Sequence, residues 1–367
     1  MPHKTKSCHS EQKAIISKPT RSQGAALRIE PTDTRTNREG ETVLPTAEAV
    51  STLQSVATAA REGLTATPRT LPPWLFYDEA GSHLFEQITT LPEYYLTRTE
   101  RDLFRSHAAE IVSALPGPIT IAELGAGTAT KTGILLRAAT ALQPSLLYQP
   151  IDVSQTCLDE AVINLEQGIP HLAVRPQLAN YTTDPIHLER PAGTRILALY
   201  IGSSIGNFSP SESQAILANL RAQLQPGDAL LLGTDLAPSP TKSIATLLAA
   251  YDDAQGVTAA FNRNILTRLN RDLEADFKPN CFRHVARWNP TESRIEMHLD
   301  AIHAQTVHIQ ASDLTLHFKQ GETIHTENSY KFTAKALAKL FATTGYTPTQ
   351  TFHDAHNLFA VTLATAI

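Results

Sequence analysis

A chain of 367 residues with 42% apolar residues can bury one large core or two interlocked ones. Charged residues make up 18% and the formal net charge is −5, so no basic excess can neutralise a phosphate backbone, and nucleic acid is excluded as an expected partner. Three cysteines, Cys8, Cys157 and Cys281, are unpaired in number and fit a reducing cytoplasm; with no apolar leader and no uncharged run near the ~20 residues that span a bilayer, a soluble cytoplasmic protein without a membrane partner is expected.

Residues 1–45 are polar and poor in aromatics. Such a segment cannot bury enough apolar surface to offset its ordering entropy, so a disordered tail is expected. Apolar positions at helical spacing run from Ala47 to Leu64. A turn at Leu71-Pro72-Pro73 follows, then the aromatic block WLFYDEAGSHLFEQITTLPEYYLTRTE. From residue 101 helix and strand alternate. ERDLFRSHAAEIVSAL, KTGILLRAATAL and TCLDEAVINLEQ read as helices, PITIAELGAG and LLYQPIDVS as strands. HLAVRPQLANY, RILALYIGSSIGNF and DALLLGTDL are further strands, with the helix SESQAILANLRAQL before the last. Near-continuous apolar strands separated by helices imply a parallel sheet covered on both faces.

That rhythm stops at residue 237. A helical stretch over 241–273 precedes the strands FRHVARWN, SRIEMHLDAIHAQTVHI and LTLHFK, which suggest a separate, more antiparallel lobe. The helix AKALAKLFATTGY and the hairpin TPTQTFHDAHNLFAVTLAT then return to the first sheet. A terminal antiparallel hairpin is common in class I methyltransferases and unusual in dinucleotide-binding folds. The predicted class is therefore α/β, with a Rossmann-like, mostly parallel core from residues 101–236 and 333–367. A second α+β lobe would span 237–332.

Gly125 and Gly127 sit where the strand ITIAEL turns into a helix, a place where glycine lets backbone approach a ligand. By itself the pair could be a plain tight turn. Asp152 ends the next strand, and a carboxylate there can accept both hydroxyls of a ribose. The spacing suits NAD or S-adenosylmethionine. The dinucleotide fingerprint wants a third glycine where Thr130 stands; Glu123 and the final hairpin favour S-adenosylmethionine. Asn180 and Tyr181, at a later strand end, could meet the edge and face of an adenine or simply finish the strand.

Several blocks together resemble the histidine N-α-methyltransferase family, the hercynine-forming enzymes of ergothioneine biosynthesis: YDEAGSHLFEQITTLPEYYLTRTE, ELGAGTATKT, IDVS, YIGSSIGNF, LLLGTDL, YDDAQGVTAAFNRN, RIEMHL and TENSYKF. The resemblance implies a class I core with a second lobe that combines residues 46–100 with 237–332, S-adenosylmethionine as cofactor, and three successive methylations of histidine. It carries Gly125, Lys131 and Asp152 onto cofactor contacts, and Asn180-Tyr181 onto an Asp-Phe pair at the adenine. The Asp-to-Asn change is a departure, though an amide oxygen can still accept from the adenine amino group. In the acceptor pocket it places Tyr94, Asn207 and Tyr251 at the α-carboxylate and amine, with Tyr77, Phe85 and Gly202 near the amine and the wall. Glu327 and Ser329 correspond to the pair that hydrogen-bonds the imidazole, and Met297 to a neighbour of the ring. Tyr77 and Asn207 are the candidates for orienting the amine; no strong general base is assigned.

Without the family these residues have plainer readings. Tyr94 would be a core aromatic, Asn207 a left-handed turn residue, Glu327 a solvated carboxylate and Met297 a gap-filler. Yet a carboxylate and a hydroxyl two residues apart on a strand point to one side and can grip both nitrogens of one ring. The substrate expectation is histidine, with tryptophan or another aromatic amino acid as the rival acceptor, since an indole needs no carboxylate. Two rivals come from other classes: a protein that senses the cofactor without catalysis, and an NAD-dependent oxidoreductase. The 14 histidines are scattered; His298, His303 and His308 fall at irregular offsets, so no metal is expected, and a monomer is.

Overall fold

The computed structural model describes residues 47–367 and, ahead of them, a pairing of the strands Arg35–Thr36 and Thr42–Val43. The expected disorder of residues 1–45 otherwise lies outside the described residues. Residues Thr46–Ile367 form one compact unit, and it contains two large sheets and a separate two-stranded one.

The larger sheet runs in the order Tyr346–His353, Phe359–Ala366, Ala229–Asp235, Arg195–Tyr200, Ile119–Leu124, Leu146–Asp152, Leu172–Val174, with Gln177–Leu178 also paired to Leu146–Asp152. Its middle strands pair parallel, while Phe359–Ala366 runs antiparallel to both neighbours. Every residue of Ile119–Leu124 and Ala229–Asp235 is buried, which is why the sequence reads there as continuous apolar runs. Ile216, Leu217, Leu337 and Phe341 of the helices Pro210–Gln223 and Ala334–Thr344 share one buried cluster with Ala122, Ala198 and Leu230 of the strands. Local sequence sets the helix ends: Ser209 and Glu212 form a capping box before Pro210, and Gly345 closes the later helix in a left-handed conformation.

The smaller sheet has the order Phe282–Asn289, Arg294–Ala301, Thr323–Tyr330, Arg69–Thr70, antiparallel except at its last pair. Met297 pairs with Glu327 and Ile295 with Ser329, and a bulge follows between Met297 and His298. The strands Gln305–Ile309 and Leu314–Phe318 make a hairpin of their own.

Three expected elements differ in extent. The helix expected from Glu100 begins at Tyr95, because Leu96 and Glu100 already lie on its buried face with Leu103 and Phe104; the expected lobe boundary at residue 100 therefore falls inside a helix. The 241–273 stretch is two helices, Ile244–Tyr251 and Val257–Leu273. Between them Asp253 accepts from the backbone N–H groups of Val257 (3.0 Å) and Thr258 (2.7 Å) and starts the second. HLAVRPQLANY divides into Leu172–Val174 and Gln177–Leu178, since Pro176 has no N–H to give the ladder.

Candidate active site

On the cofactor side, Gly125 (φ 66°) and Gly127 (φ 52°) both adopt conformations that favour glycine, directly after the strand Ile119–Leu124. The Gly125 N–H donates to the Ile151 carbonyl (2.8 Å), and the Gly127 N–H donates to Asp152 Oδ2 (2.8 Å). Asp152 Oδ1 accepts from the Ser154 N–H (2.9 Å), so the turn and the end of the next strand are one fixed structure. Burial raises the Asp152 carboxyl above its usual range, and these backbone donors oppose the rise. Space beside Gly127 is open to 4 Å. Glu123 is buried beneath the turn, accepts from Thr132 Oγ1 (2.8 and 2.9 Å) and from the Tyr148 hydroxyl, and is pushed up to about 7 by burial.

Lys131 is ion-paired with Glu100, and Glu100 accepts from the Gly202 N–H at 2.8 and 3.0 Å. The cofactor loop is thus tied to the loop that follows strand Arg195–Tyr200. Tyr181 packs its hydroxyl end over Gly125 and its ring edge-on to Tyr200 and Phe208. Asn180 departs from expectation. Its Oδ1 accepts from the Thr182 N–H (3.1 Å) and the Thr182 hydroxyl (2.6 Å). Both lone pairs of that oxygen are engaged in a local turn, so it does not offer itself to an adenine amino group; the group left over is the Nδ2 donor.

All nine expected acceptor residues line a single pocket: Tyr77, Phe85, Tyr94, Gly202, Asn207, Tyr251, Met297, Glu327 and Ser329. The pocket opens into the cleft lined by Gly125, Gly127, Lys131, Asp152, Asn180 and Tyr181. Its aromatic wall is built from edge-on pairs, Tyr77–Phe85 (5.7 Å between centroids), Phe85–Tyr94 (6.4 Å) and Tyr94–Tyr251 (6.2 Å). Phe261, which no sequence pattern singles out, joins it against Tyr77 and Phe85 (6.0 Å each). Asn207 ends a short 3-10 helix, Ser204–Asn207. The left-handed residues of this loop are Gly202 (φ 77°) and Ser203 (φ 58°), not Asn207; the Ser203 hydroxyl oxygen accepts from the Asp235 N–H (2.9 Å) and holds the turn.

Glu327 is buried, and among the described residues its carboxylate accepts no hydrogen bond. Desolvation pushes it up to about 8, against the pull of the Lys331 ammonium. Ser329 is different: its hydroxyl is 2.7 Å from Tyr251 Oη, and the Lys331 ammonium donates to both oxygens (2.8 Å to Ser329, 2.9 Å to Tyr251). Lys331 in turn pairs with Asp235 Oδ2 at 2.8 Å. Asp235 is wholly buried and also receives the Tyr95 hydroxyl (2.9 Å) and the Lys242 ammonium. Tyr95, Glu100, Asp235 and Lys331 lie inside LPEYYLTRTE, LLLGTDL and TENSYKF, yet nothing in a one-dimensional reading marks them as buried polar groups.

Glu296, His298 and His325 place three potential ligand atoms within 4.8 Å of one another. Their polar atoms already have partners. Glu296 takes Arg294, Asn289 (2.9 Å) and His298 Nε2 (3.1 Å), while His298 Nδ1 meets Thr323 Oγ1 at 3.1 Å and His325 Nε2 donates to the Glu327 carbonyl at 3.0 Å. The two imidazoles stack at 4.7 Å with 21° between planes, so their in-plane lone pairs run side by side and do not converge. The cluster braces the strand that carries Glu327.

A parallel sheet closed by an antiparallel hairpin, with a glycine turn and the Asp152 carboxylate at its carboxyl edge and a pocket alongside, defines a class I S-adenosylmethionine-dependent methyltransferase. Residues 56–366 match the model of the histidine-specific, S-adenosylmethionine-dependent methyltransferases, and the chain belongs to that family. It is 44% identical over 305 residues to the histidine N-alpha-methyltransferase of Mycolicibacterium smegmatis, covering 83% of this chain and 92% of the relative. The enzyme of the same name from Mycobacterium tuberculosis is 42% identical, with 82% and 92% covered. Ergothioneine biosynthesis protein 1 of Neurospora crassa is 34% identical over 55% of this chain and 23% of its own length.

Proposed function

We propose that this enzyme transfers methyl groups from S-adenosylmethionine to the α-amino nitrogen of L-histidine, three times in succession, to give the trimethylated product hercynine for ergothioneine biosynthesis. One observation carries the choice of acceptor: Glu327 and Ser329 face the same way from one strand, buried at the end of a pocket that opens onto the cofactor cleft. A buried carboxylate without a hydrogen-bond donor is costly, and an imidazole offers one ring nitrogen to Glu327 and the other to Ser329, where an indole has a single N–H and leaves one of the pair unmet.

Asp152 and the Gly125–Gly127 turn would hold the ribose and methionine portions, with Lys131 beside them and Asn180-Tyr181 at the adenine. When bound, the cofactor supplies an electrophilic methyl on sulfonium. The chain supplies position: the amine nitrogen must sit roughly 3–3.5 Å from that methyl and in line with it. Tyr94, Asn207 and Tyr251 would fix the α-carboxylate and amine, while the aromatic wall of Tyr77 and Phe85 excludes water. The amine must be neutral when it attacks, and burial raises the Tyr77 hydroxyl well above its usual value, which makes it an orienting group and no base. In this reading residues 46–100 with 237–332, joined by Gly202 and Asn207, grip the acceptor, the rest of 101–236 with 333–367 grips the cofactor, and the enzyme works as a cytoplasmic monomer without nucleic-acid or membrane partners. Among the described residues no helix is long and apolar enough to cross a membrane.

Mass analysis of the product after incubation with histidine and excess cofactor tests the proposal. Addition of three methyl groups to histidine is expected. Methyl transfer to tryptophan but not histidine would overturn the acceptor, and a product that stops at one methyl would overturn the succession.

A further inference from the structure

We propose that Lys331 is a positioning residue for the acceptor: its ammonium forces the Tyr251 and Ser329 hydroxyls to present one hydrogen and one lone pair, in a fixed arrangement, to the substrate. The inference rests on the histidine reading above and deepens it. Lys331 is 3% exposed, and an ammonium has three hydrogens and no acceptor. All three are assigned, to Tyr251 Oη, Ser329 Oγ and Asp235 Oδ2, at 2.9, 2.8 and 2.8 Å.

Each hydroxyl has one hydrogen and two lone pairs. Lys331 occupies one lone pair on each oxygen, and the 2.7 Å contact between them uses one hydrogen and one more lone pair. What remains toward the pocket is a single hydrogen on one oxygen and a single lone pair on the other. A carboxylate only accepts, so a substrate carboxylate at Tyr251 takes the tyrosine hydrogen. Ser329 must then donate to Tyr251 and keep a lone pair for an imidazole N–H. The other ring nitrogen faces Glu327, and ring and carboxylate share one proton between them. The charged and titratable groups around Glu327 are Lys331 immediately after its strand, Tyr77 and Tyr94 from the N-terminal segment, and Tyr251 from the helix Ile244–Tyr251. Lys331 is thus the cation that favours the ionised carboxylate.

Lys331→Met removes both effects, and Asp235 keeps Tyr95 and Lys242 as partners. The KM for histidine should rise about tenfold or more, with kcat less affected and S-adenosylmethionine affinity within about twofold. The limb of the kcat/KM–pH profile that reports Glu327 should move upward by about one pH unit. Lys331→Gln restores a donor without the charge: it should recover most of the KM while leaving the limb displaced. A folded Met variant with unchanged KM, or one that loses cofactor affinity as much as histidine affinity, would overturn the proposal. If the Met variant does not fold, a Gln variant with wild-type KM and an unmoved limb overturns it, and a displaced limb supports it. Wild-type enzyme that ignores histidine would instead mark failure of the substrate reading.

Discussion

Two buried carboxylates, Asp235 and Glu327, sit at the ends of one chain of polar groups and are treated in opposite ways. Asp235 is surrounded: it accepts from the Tyr95 hydroxyl and pairs with both Lys242 and Lys331. Glu327 has no donor among the described residues and only a through-space cation, so burial drives its carboxyl up to about 8. The first has its donors in place; the second is buried without one. A fold can hold a group in the second condition only if its neighbours are held in the first, which is what the Asp235 network does for the strand Thr323–Tyr330.

The largest effect should come from breaking the finished end. Asp235→Ala leaves two buried ammonium groups without their shared counter-ion, and breaking such a pair costs about 3–5 kcal/mol. Denaturant unfolding should show that loss; a change below about 1 kcal/mol would mean that the network is not what holds this region. At the unfinished end, Glu327→Ala should lower kcat/KM for histidine about 100-fold or more, in line with sites built to pair a substrate N–H, and leave cofactor affinity within about twofold. Equal losses of both would make Glu327 structural.

The pH dependence of stability separates the two ends more gently. A carboxyl whose folded value lies near 8 instead of the usual 4.5 binds its proton more tightly when folded. Between those values the folded state holds more protons than the unfolded one, so wild-type stability falls as pH rises through that window. Glu327→Gln removes the titration. Without histidine, the variant should therefore gain on the wild type by about 1 kcal/mol or more between pH 5 and pH 8. A difference that stays flat with pH would show that Glu327 titrates normally.

The same contrast explains what the sequence disclosed. Periodicity and turn chemistry announce the core sheet, the glycine turn and Asp152, since those are local patterns of period and spacing. Glu327 and Ser329 are legible only through the family resemblance, to which strand alternation adds that residues two apart share one face. Lys331, two residues further along that face, is not marked, because an ammonium looks the same in sequence whether it is solvated or buried. Its partners Tyr251 and Asp235 come from 80 and about 100 residues away and meet it only through the folding of both sheets. Phe261 is hidden for a related reason: an aromatic at helical spacing declares a buried face without saying which cavity it borders.

Asn180 lines the cleft while its side-chain oxygen is engaged elsewhere, and it gives the smallest prediction. Its side-chain oxygen is used by the N–H and hydroxyl of Thr182, two residues on, a competition with adenine that Asn-x-Thr invites. A carboxylate at this position could keep one oxygen in the turn and turn the other outward as an acceptor. Asn180→Asp should then tighten S-adenosylmethionine binding about two- to fivefold, the worth of one net hydrogen bond of about 0.5–1 kcal/mol. Calorimetric titration is sensitive enough to see it, and histidine KM should not change. Weaker cofactor binding in the Asp variant would mean that the Nδ2 donor, not an acceptor, is what the adenine uses here, and that the cofactor side of this enzyme reads its ligand from the opposite polarity.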